Sequence, residues 1–293
     1  MEHTPFKIPT MDHKNRMGLP MFAYGTGSAL MRPNSDGEID PKVVEQIKTA
    51  IKLGYTHVDS AEAYNTEREV GVAIQESGVP REKLFVTTKT LGFGSISQAL
   101  DSSLQKLQLE YVDLYLLHIP WIEHKPLQEV WAEMEAVKAS GKAKLIGVSN
   151  FLVGHLEKIL ETASEVPAVN QIEYSIYLQR EEIYNFCQKH QIAMQAFASL
   201  SPCTVAAGGP ADALLSSLSA KYATTEAVIC MRWCIDKGLG VVTTTHEEKR
   251  LKEYMRMFEF CLTPEEVEEL SGIGAGKHFR KYFSDRFAAD DRS

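Results

Sequence analysis

The sequence predicts a single α/β domain over residues 1–293, a closed parallel (β/α)₈ barrel of the TIM type with an N-terminal plug segment and an extended C-terminal tail. Three observations point there. Short, β-rich apolar runs alternate with amphipathic helical stretches from one end of the chain to the other. Several of those runs are almost continuously apolar, as parallel strands covered on both faces are. No Pro/Ser-rich linker divides the chain, and α/β barrels commonly occupy this length as one domain. An open doubly wound sheet is the structural alternative; the lack of a GxGxxG motif after the first strand weakens it.

Taken in order, the polar segment before Met21 is expected to form a hairpin closing the bottom of the barrel. The first strand is Met21–Gly25. A helix then opens at Asp40-Pro41, carries the apolar stripe Val44, Ile47 and Ile51, and closes at Gly54, where a left-handed residue is wanted. The second strand, Thr56–Asp59, leads to Thr66-x-x-Glu69, which has the form of a capping box, and to a helix closed by Gly78. The third and fourth strands are Leu84–Lys89 and Val112–His118. A helix striped with Leu127, Val130, Trp131, Met134 and Val137 follows and closes at Gly141. Strands five to eight are Lys144–Ser149, Ala168–Glu173, Ile192–Phe197 and Leu239–Thr243, the last preceded by Gly238. A mobile loop, Ser201–Pro210, is expected after the seventh strand. Thr263-Pro264-Glu265-Glu266 reads as a second capping box, and the tail from Gly274 carries Phe279, Tyr282, Phe283 and Phe287. A tail so aromatic is expected to pack over the barrel mouth.

Composition limits the function classes. Apolar residues make up 44% and charged residues 24%, ordinary for a soluble globular protein. The longest apolar run, Leu114–Trp121, is interrupted by His118 and too short to cross a bilayer, and the N-terminus lacks the apolar core of a secretion signal, so a cytoplasmic protein is expected. A formal net charge of −8 argues against nucleic acid or an anionic membrane as partner. Any phosphorylated cofactor must then be met by local positive charge and N–H donors. The five cysteines, Cys187, Cys203, Cys230, Cys234 and Cys261, form no CxxC pair, so neither a metal site nor a disulfide framework is expected. Without a long exposed apolar stripe, a monomer or weak dimer is the default.

In such a barrel the active site lies at the C-terminal ends of the strands. Asp59 ends the second strand, with Tyr64 five residues on; Lys89 ends the third and His118 the fourth. Singly, each has an ordinary structural explanation, as a loop cap or a hydrogen-bonded core histidine. Jointly they are harder to dismiss. A lysine in the barrel mouth buries an ammonium, which is unfavourable unless a carboxylate pairs with it, and Asp59 is the available partner. The Lys89 charge would lower the pKa of Tyr64 from the usual value of about 10. Tyr64 then becomes a general acid for an oxygen that turns negative, and His118 can orient the same oxygen. The reaction needing such an acid, with no metal and no covalent nucleophile, is hydride delivery to a carbonyl.

The chain resembles the aldo-keto reductase family. The matching segments are His57–Asn65 (HVDSAEAYN), Val86–Lys89, Leu114–His118, Gly147–Phe151 and Asn170–Glu173, in family order and spacing over almost the whole chain. Within the family it is most similar to the fungal conjugated polyketone (ketopantoyl lactone) reductase group, through AEAYNTEREVG at Ala61–Gly71, VTTTHEEKRLKE at Val242–Glu253 and the Phe283–Phe287 tail.

The resemblance implies a nicotinamide cofactor extended across the mouth. By position, Ser149, Asn150 and Gln171 would bind its carboxamide and Phe197, where many members have tyrosine, would stack on its ring. Gly25 and Thr26 would approach the cofactor or substrate, although a simple turn explains them equally well, and Ser199, Leu200, Thr244, Thr245 and Arg250 would complete the groove. Family members usually place a Lys-Ser pair where this chain has Thr244-Thr245, and asparagine where it has Tyr254. The missing lysine removes one charge-assisted contact, worth roughly 1.5–3 kcal/mol, to a 2′-phosphate. Arg250, the two hydroxyls and the N–H groups of a helix starting near Glu247 remain, which favours NADPH.

Trp121, three residues beyond His118, is expected to wall the substrate pocket. Ser28-Ala29 stand where many relatives have tryptophan, and Thr90-Leu91-Gly92 follow Lys89, so the pocket should be wide and poor in aromatic rings. Compact cyclic α-dicarbonyls suit it. A nicotinamide-binding regulatory subunit with little turnover is the competing reading, and the complete set of four polar residues disfavours it.

Overall fold

The computed structural model describes residues 8–11, 18–33 and 38–293. Eight parallel strands close into one barrel in sequence order: β1 (Phe22–Gly25), β2 (His57–Asp59), β3 (Phe85–Thr90), β4 (Val112–Leu117), β5 (Ala143–Ser149), β6 (Val169–Glu173), β7 (Ala193–Phe197) and β8 (Gly240–Thr243). Closure is made by β1, which pairs Gly25 with Asp59 on β2 and Ala23 with Val242 on β8. Each bound lies within one residue of the strand expected from the apolar runs.

The first six helices follow their strands: α1 (Pro41–Lys52), α2 (Glu67–Glu76), α3 (Ile96–Leu107), α4 (Leu127–Ala139), α5 (Val153–Leu160) and α6 (Glu181–Lys189). Two helices, α7 (Asp212–Lys221) and α8 (Glu226–Asp236), lie between β7 and β8, and α9 (Glu248–Met255) and α10 (Pro264–Ala275) follow β8. Among the described residues no helix is long and apolar enough to cross a membrane.

Cap chemistry explains where several helices begin. Asp40 accepts the Lys42 N–H at the start of α1, and Thr263 and Glu266 exchange reciprocal bonds at the start of α10. The capping box expected at Thr66 does not form. The Thr66 hydroxyl instead bonds Thr26 Oγ1 at 2.9 Å, and the Glu69 carboxylate accepts Arg32 Nη1 and the Asp40 N–H. Both side chains tie the β1 and β2 loops together, and that tertiary use prevails over the local one.

Two packed layers result. The outer one joins helices to strands, with Val44, Ile47, Ile51, Val130, Trp131 and Met134 all buried. The inner one fills the bottom of the barrel with Leu19, Phe85, Leu114, Leu116, Leu145 and Val169, closed by Met11. The expected N-terminal hairpin is present where the chain is described: Met11 N–H donates to Leu19 O, Met21 N–H donates to Pro9 O, and Thr10 bridges to Pro20. Gly147 marks how tight this interior is, because a Cβ there would lie 2.7 Å from the Val169 carbonyl oxygen.

Side chains alternate across each strand, so the residues in phase with Phe85, Leu114 and Val169 also point inward, one or two layers higher. That phase contains Asp59, Lys89, His118, Ser149, Gln171, Glu173, Gln195 and Phe197. The inward face thus changes from apolar at the bottom to polar at the top.

Candidate active site

Lys89 is fully buried, and its ammonium donates to Asp59 Oδ1 at 2.5 Å and to the Ser60 carbonyl at 2.9 Å. Asp59 Oδ2 accepts Gln171 Nε2 at 2.8 Å. Both carboxylate oxygens are therefore engaged, which is what makes a buried ion pair tolerable. Desolvation pulls the Lys89 ammonium down, but Asp59 and the Tyr64 oxygen outweigh it and hold its pKa above the ordinary lysine value.

Tyr64 ends a 3₁₀ turn, Glu62–Tyr64, just beyond β2. Its ring lies 4.9 Å from Lys89 Nζ, and its hydroxyl is 3.4 Å from His118 Nε2. Gly27 packs directly on that ring: a Cβ there would be 2.9 Å from Tyr64 Cζ. The four residues singled out from the strand ends thus meet at one point. The expected acidification is not found. Desolvation pushes the phenol above its ordinary pKa, and Lys89 opposes that shift without reversing it. Burial, then Lys89, push His118 down to about 3, so its imidazole is neutral. A neutral ring can donate from Nε2 to an oxygen held between it and the phenol.

The proposed carboxamide residues form a network of their own. The Ser149 hydroxyl donates to the Gln171 carbonyl at 2.8 Å, and Asn150 Nδ2 donates to the His118 carbonyl at 3.0 Å and to Ser149 Oγ at 3.1 Å. Asn150 takes a left-handed φ of 64° to do so. The hydroxyl of Ser199, past the end of β7, is buried without a partner, as a donor awaiting an oxygen-rich ligand would be, and Thr244, past the end of β8, lies beside the Tyr24 hydroxyl. Leu200 carries the next carbonyl, which accepts the Thr204 hydroxyl at 2.7 Å. Thr245 is buried and caps the Glu247 N–H at 3.2 Å, while Arg250 is half exposed and pairs with Glu247 at 3.3 Å. These groups fit an extended, phosphate-bearing cofactor. Thr26 does not present its side chain to it, because its hydroxyl is engaged by the Asp59 carbonyl and Thr66. Gly25 sits against Val242 in the barrel wall.

The tail covers this mouth. Glu173, at the end of β6, accepts the backbone N–H groups of Lys281 at 2.6 Å and Tyr282 at 2.9 Å. Tyr282 Oη is 2.9 Å from Ser28 Oγ, and its ring meets Phe197 edge-on at 5.6 Å. Phe283 and Phe287 lie 4.9 and 6.3 Å from Trp121. The mouth expected to be poor in aromatics is therefore furnished with rings from the far end of the chain. The loop Ser201–Pro210 is also tied in, with Lys277 donating to the Ala206 carbonyl and the Gly208 N–H donating to Asp212.

Glu173 and Gln195 were missed as site residues. Both carry the signal that identified Asp59, a polar side chain at an inward strand position, but Glu173 was noted only as part of a matching segment and Gln195 only as part of a strand.

The aldo/keto reductase family model matches residues 23–275. The chain is 39% identical over 270 residues to an NAD/NADP-dependent indole-3-acetaldehyde reductase of Schizosaccharomyces pombe, covering 90% of this chain and 95% of the relative. It is 38% identical over 282 residues to an NADPH-dependent alpha-keto amide reductase of Saccharomyces cerevisiae, covering 90% of each. A crystal structure of an aldo/keto reductase from Brucella melitensis superposes with a TM-score of 0.81 at 31% identity, over 91% of this chain and all of that one.

Proposed function

The chain belongs to the aldo/keto reductase family, and on that premise we propose that it is an NADPH-dependent reductase of aldehydes and activated ketones with Tyr64 as proton donor. The reading rests on one observation, the meeting of the Tyr64 hydroxyl, the Lys89–Asp59 pair and neutral His118 at the barrel mouth.

A reduced nicotinamide bound in the groove supplies the hydride. The chain's own residues do the rest. His118 and Tyr64 both direct a donor at the substrate oxygen and orient the carbonyl. As the carbon is reduced, its oxygen gains negative charge and takes the Tyr64 proton, giving the alcohol. The phenolate left behind is stabilised by the Lys89 ammonium and regains a proton from solvent. Asp59 keeps Lys89 charged. Desolvation raises the resting phenol's pKa, so the Lys89 effect matters most at the moment the phenolate forms.

Ser149, Asn150 and Gln171 hold the carboxamide in this reading, Phe197 faces the ring, and Ser199, Leu200, Thr244, Thr245 and Arg250 line the remainder of the groove. Arg250 with two hydroxyls favours NADPH, and the lack of a lysine at Thr244 leaves NADH as the weaker partner. Trp121 and Ser28 border the substrate. The likeness to the fungal conjugated polyketone reductases points to compact cyclic α-dicarbonyls, such as ketopantoyl lactone or isatin. The enzyme acts as a cytoplasmic monomer or weak dimer, without nucleic acid or membrane.

The test is NADPH oxidation with isatin or ketopantoyl lactone by wild type and Tyr64→Phe. Loss of the general acid should lower kcat by about 10²–10⁴-fold while leaving NADPH affinity intact. A variant as fast as wild type removes Tyr64 from the chemistry. Tight NADPH binding with no turnover on a broad carbonyl panel would make the barrel a nicotinamide-binding regulatory protein instead.

A further inference from the structure

Gln195 lies at the middle of β7, fully buried and in register with Gln171 on β6 and Gly240 on β8. Its Oε1 accepts Gln171 Nε2 at 3.2 Å, and the same Gln171 nitrogen donates to Asp59 Oδ2 at 2.8 Å. The direction of this chain is fixed by charge. A carboxylate held against the Lys89 ammonium can only accept, so the Gln171 atom facing Asp59 must be its NH₂ group. That group has two hydrogens. One goes to Asp59, and the other needs an acceptor, which only the carbonyl end of the Gln195 amide provides. Turning the Gln195 amide over would set NH₂ against NH₂. The stem of Gln195 is also confined, since a Cβ at Gly240 would lie 3.1 Å from its Cγ.

With both hydrogens engaged, Gln171 has its carbonyl oxygen left for a ligand. Asn150 is in the same state, its NH₂ group bonded to the His118 carbonyl and Ser149 Oγ. We propose that Gln195 is a positioning residue of this site: it holds the Gln171 amide so that an acceptor, not a donor, faces the amino group of the cofactor's carboxamide. The assignment rests on the nicotinamide reading given above. It makes Gln195 a determinant of the nicotinamide half of the groove alone, with no part in holding the adenosine phosphates.

The experiment compares two ligands on wild type, Gln195→Met and Gln195→Leu: NADP⁺, and adenosine 2′,5′-bisphosphate, which lacks the nicotinamide. Loss of one neutral hydrogen bond should weaken NADP⁺ by about threefold to tenfold, with the bisphosphate unchanged. Gln171→Leu combined with either variant should add little to Gln171→Leu alone, because Gln195 acts through Gln171. Unchanged NADP⁺ affinity, an equal loss for both ligands, or an additive double variant would each overturn the assignment. Failure of the wild type to bind NADP⁺ at all would instead overturn the cofactor reading itself. Either variant suffices provided circular dichroism shows it folded.

Discussion

The floor of the barrel mouth is made by strand ends, its roof by the tail, and the two are held in different ways. On the floor, Lys89, Asp59 and Gln171 are almost wholly buried and bonded to one another, on strands locked into a closed ladder. The roof is held by two N–H bonds to Glu173, one from the Phe279 N–H to the Tyr177 carbonyl, a Lys277 bond to the Ala206 carbonyl, one hydroxyl contact at Ser28 and edge-on ring contacts to Trp121 and Phe197. It even carries an awkward cation: Arg180 is buried beneath it, with two guanidinium nitrogens unbonded, and burial and then Arg280 push it down to about 9. The difference teaches how one molecule combines fixed proton chemistry with an adaptable pocket. The groups proposed to move a proton are held by the closed strand ladder, whereas the proposed substrate-facing rings are on a segment with fewer bonds to the barrel, which predicts that the tail opens at lower free energy than the floor.

The largest effect should come from breaking the floor. Lys89→Met leaves the Asp59 carboxylate buried without its cation, and should lower stability by about 3–5 kcal/mol in urea denaturation, besides abolishing turnover. If stability is unchanged, the pair is not structural. Breaking the roof should leave global stability nearly intact. Glu173→Gln removes the charge behind two backbone bonds, about 1.5–3 kcal/mol for a charged acceptor, so hydrogen exchange in residues 277–287 should quicken about tenfold or more and KM rise more than kcat falls. Equal losses of protection in β3 and β6 would show that tail and barrel open as one unit.

Acid separates the two regions again. Burial pushes His57 to about 4 and His118 to about 3, against an ordinary 6.5. The unfolded chain therefore binds more protons between those values, so floor stability is complete above about 6.5 and declines as pH falls through the window. At pH 5 each histidine should withdraw on the order of 2 kcal/mol. A urea midpoint that stays constant from pH 7 to 5 would contradict this. The smallest effect belongs to Tyr282→Phe, which loses the Ser28 contact, about 0.5–1.5 kcal/mol, and should change substrate KM by no more than about tenfold with kcat preserved. A large fall in kcat would place that hydroxyl in the chemistry.

The floor was legible in the sequence residue by residue, the roof only in its location over the mouth. Parallel strands covered on both faces show up as apolar runs, and polar residues ending those runs, Asp59, Lys89 and His118, stand out against them. Glu173 and Gln195 obey the same rule, but no neighbour within their strands calls for a partner in the way a buried ammonium does. The aromatic tail signalled its place over the mouth but not its contacts: nothing in Tyr282 or Phe283 names Phe197 or Trp121 as the surface each would meet. The Thr66 and Glu69 pattern shows the limit of local rules, because Thr26 and Arg32 are distant in sequence and compete for the same side chains. Tyr64 shows a limit of electrostatic reasoning. The sign of Lys89's influence was readable, whereas the opposing loss of water depends on packing by Gly27 and on tail coverage.

The N-terminal hairpin at the far end of the barrel has a consequence for traffic. With Met11 and Leu19 stoppering that end, the interior is a cup with one rim, and the proposed cofactor groove and carbonyl pocket share it. If cofactor and carbonyl bind at that rim as proposed, with the carbonyl over the nicotinamide, the second to bind would cover the first and leave before it. Queueing at a single doorway, and not any affinity between the two guests, would be enough to impose an order of arrival and departure.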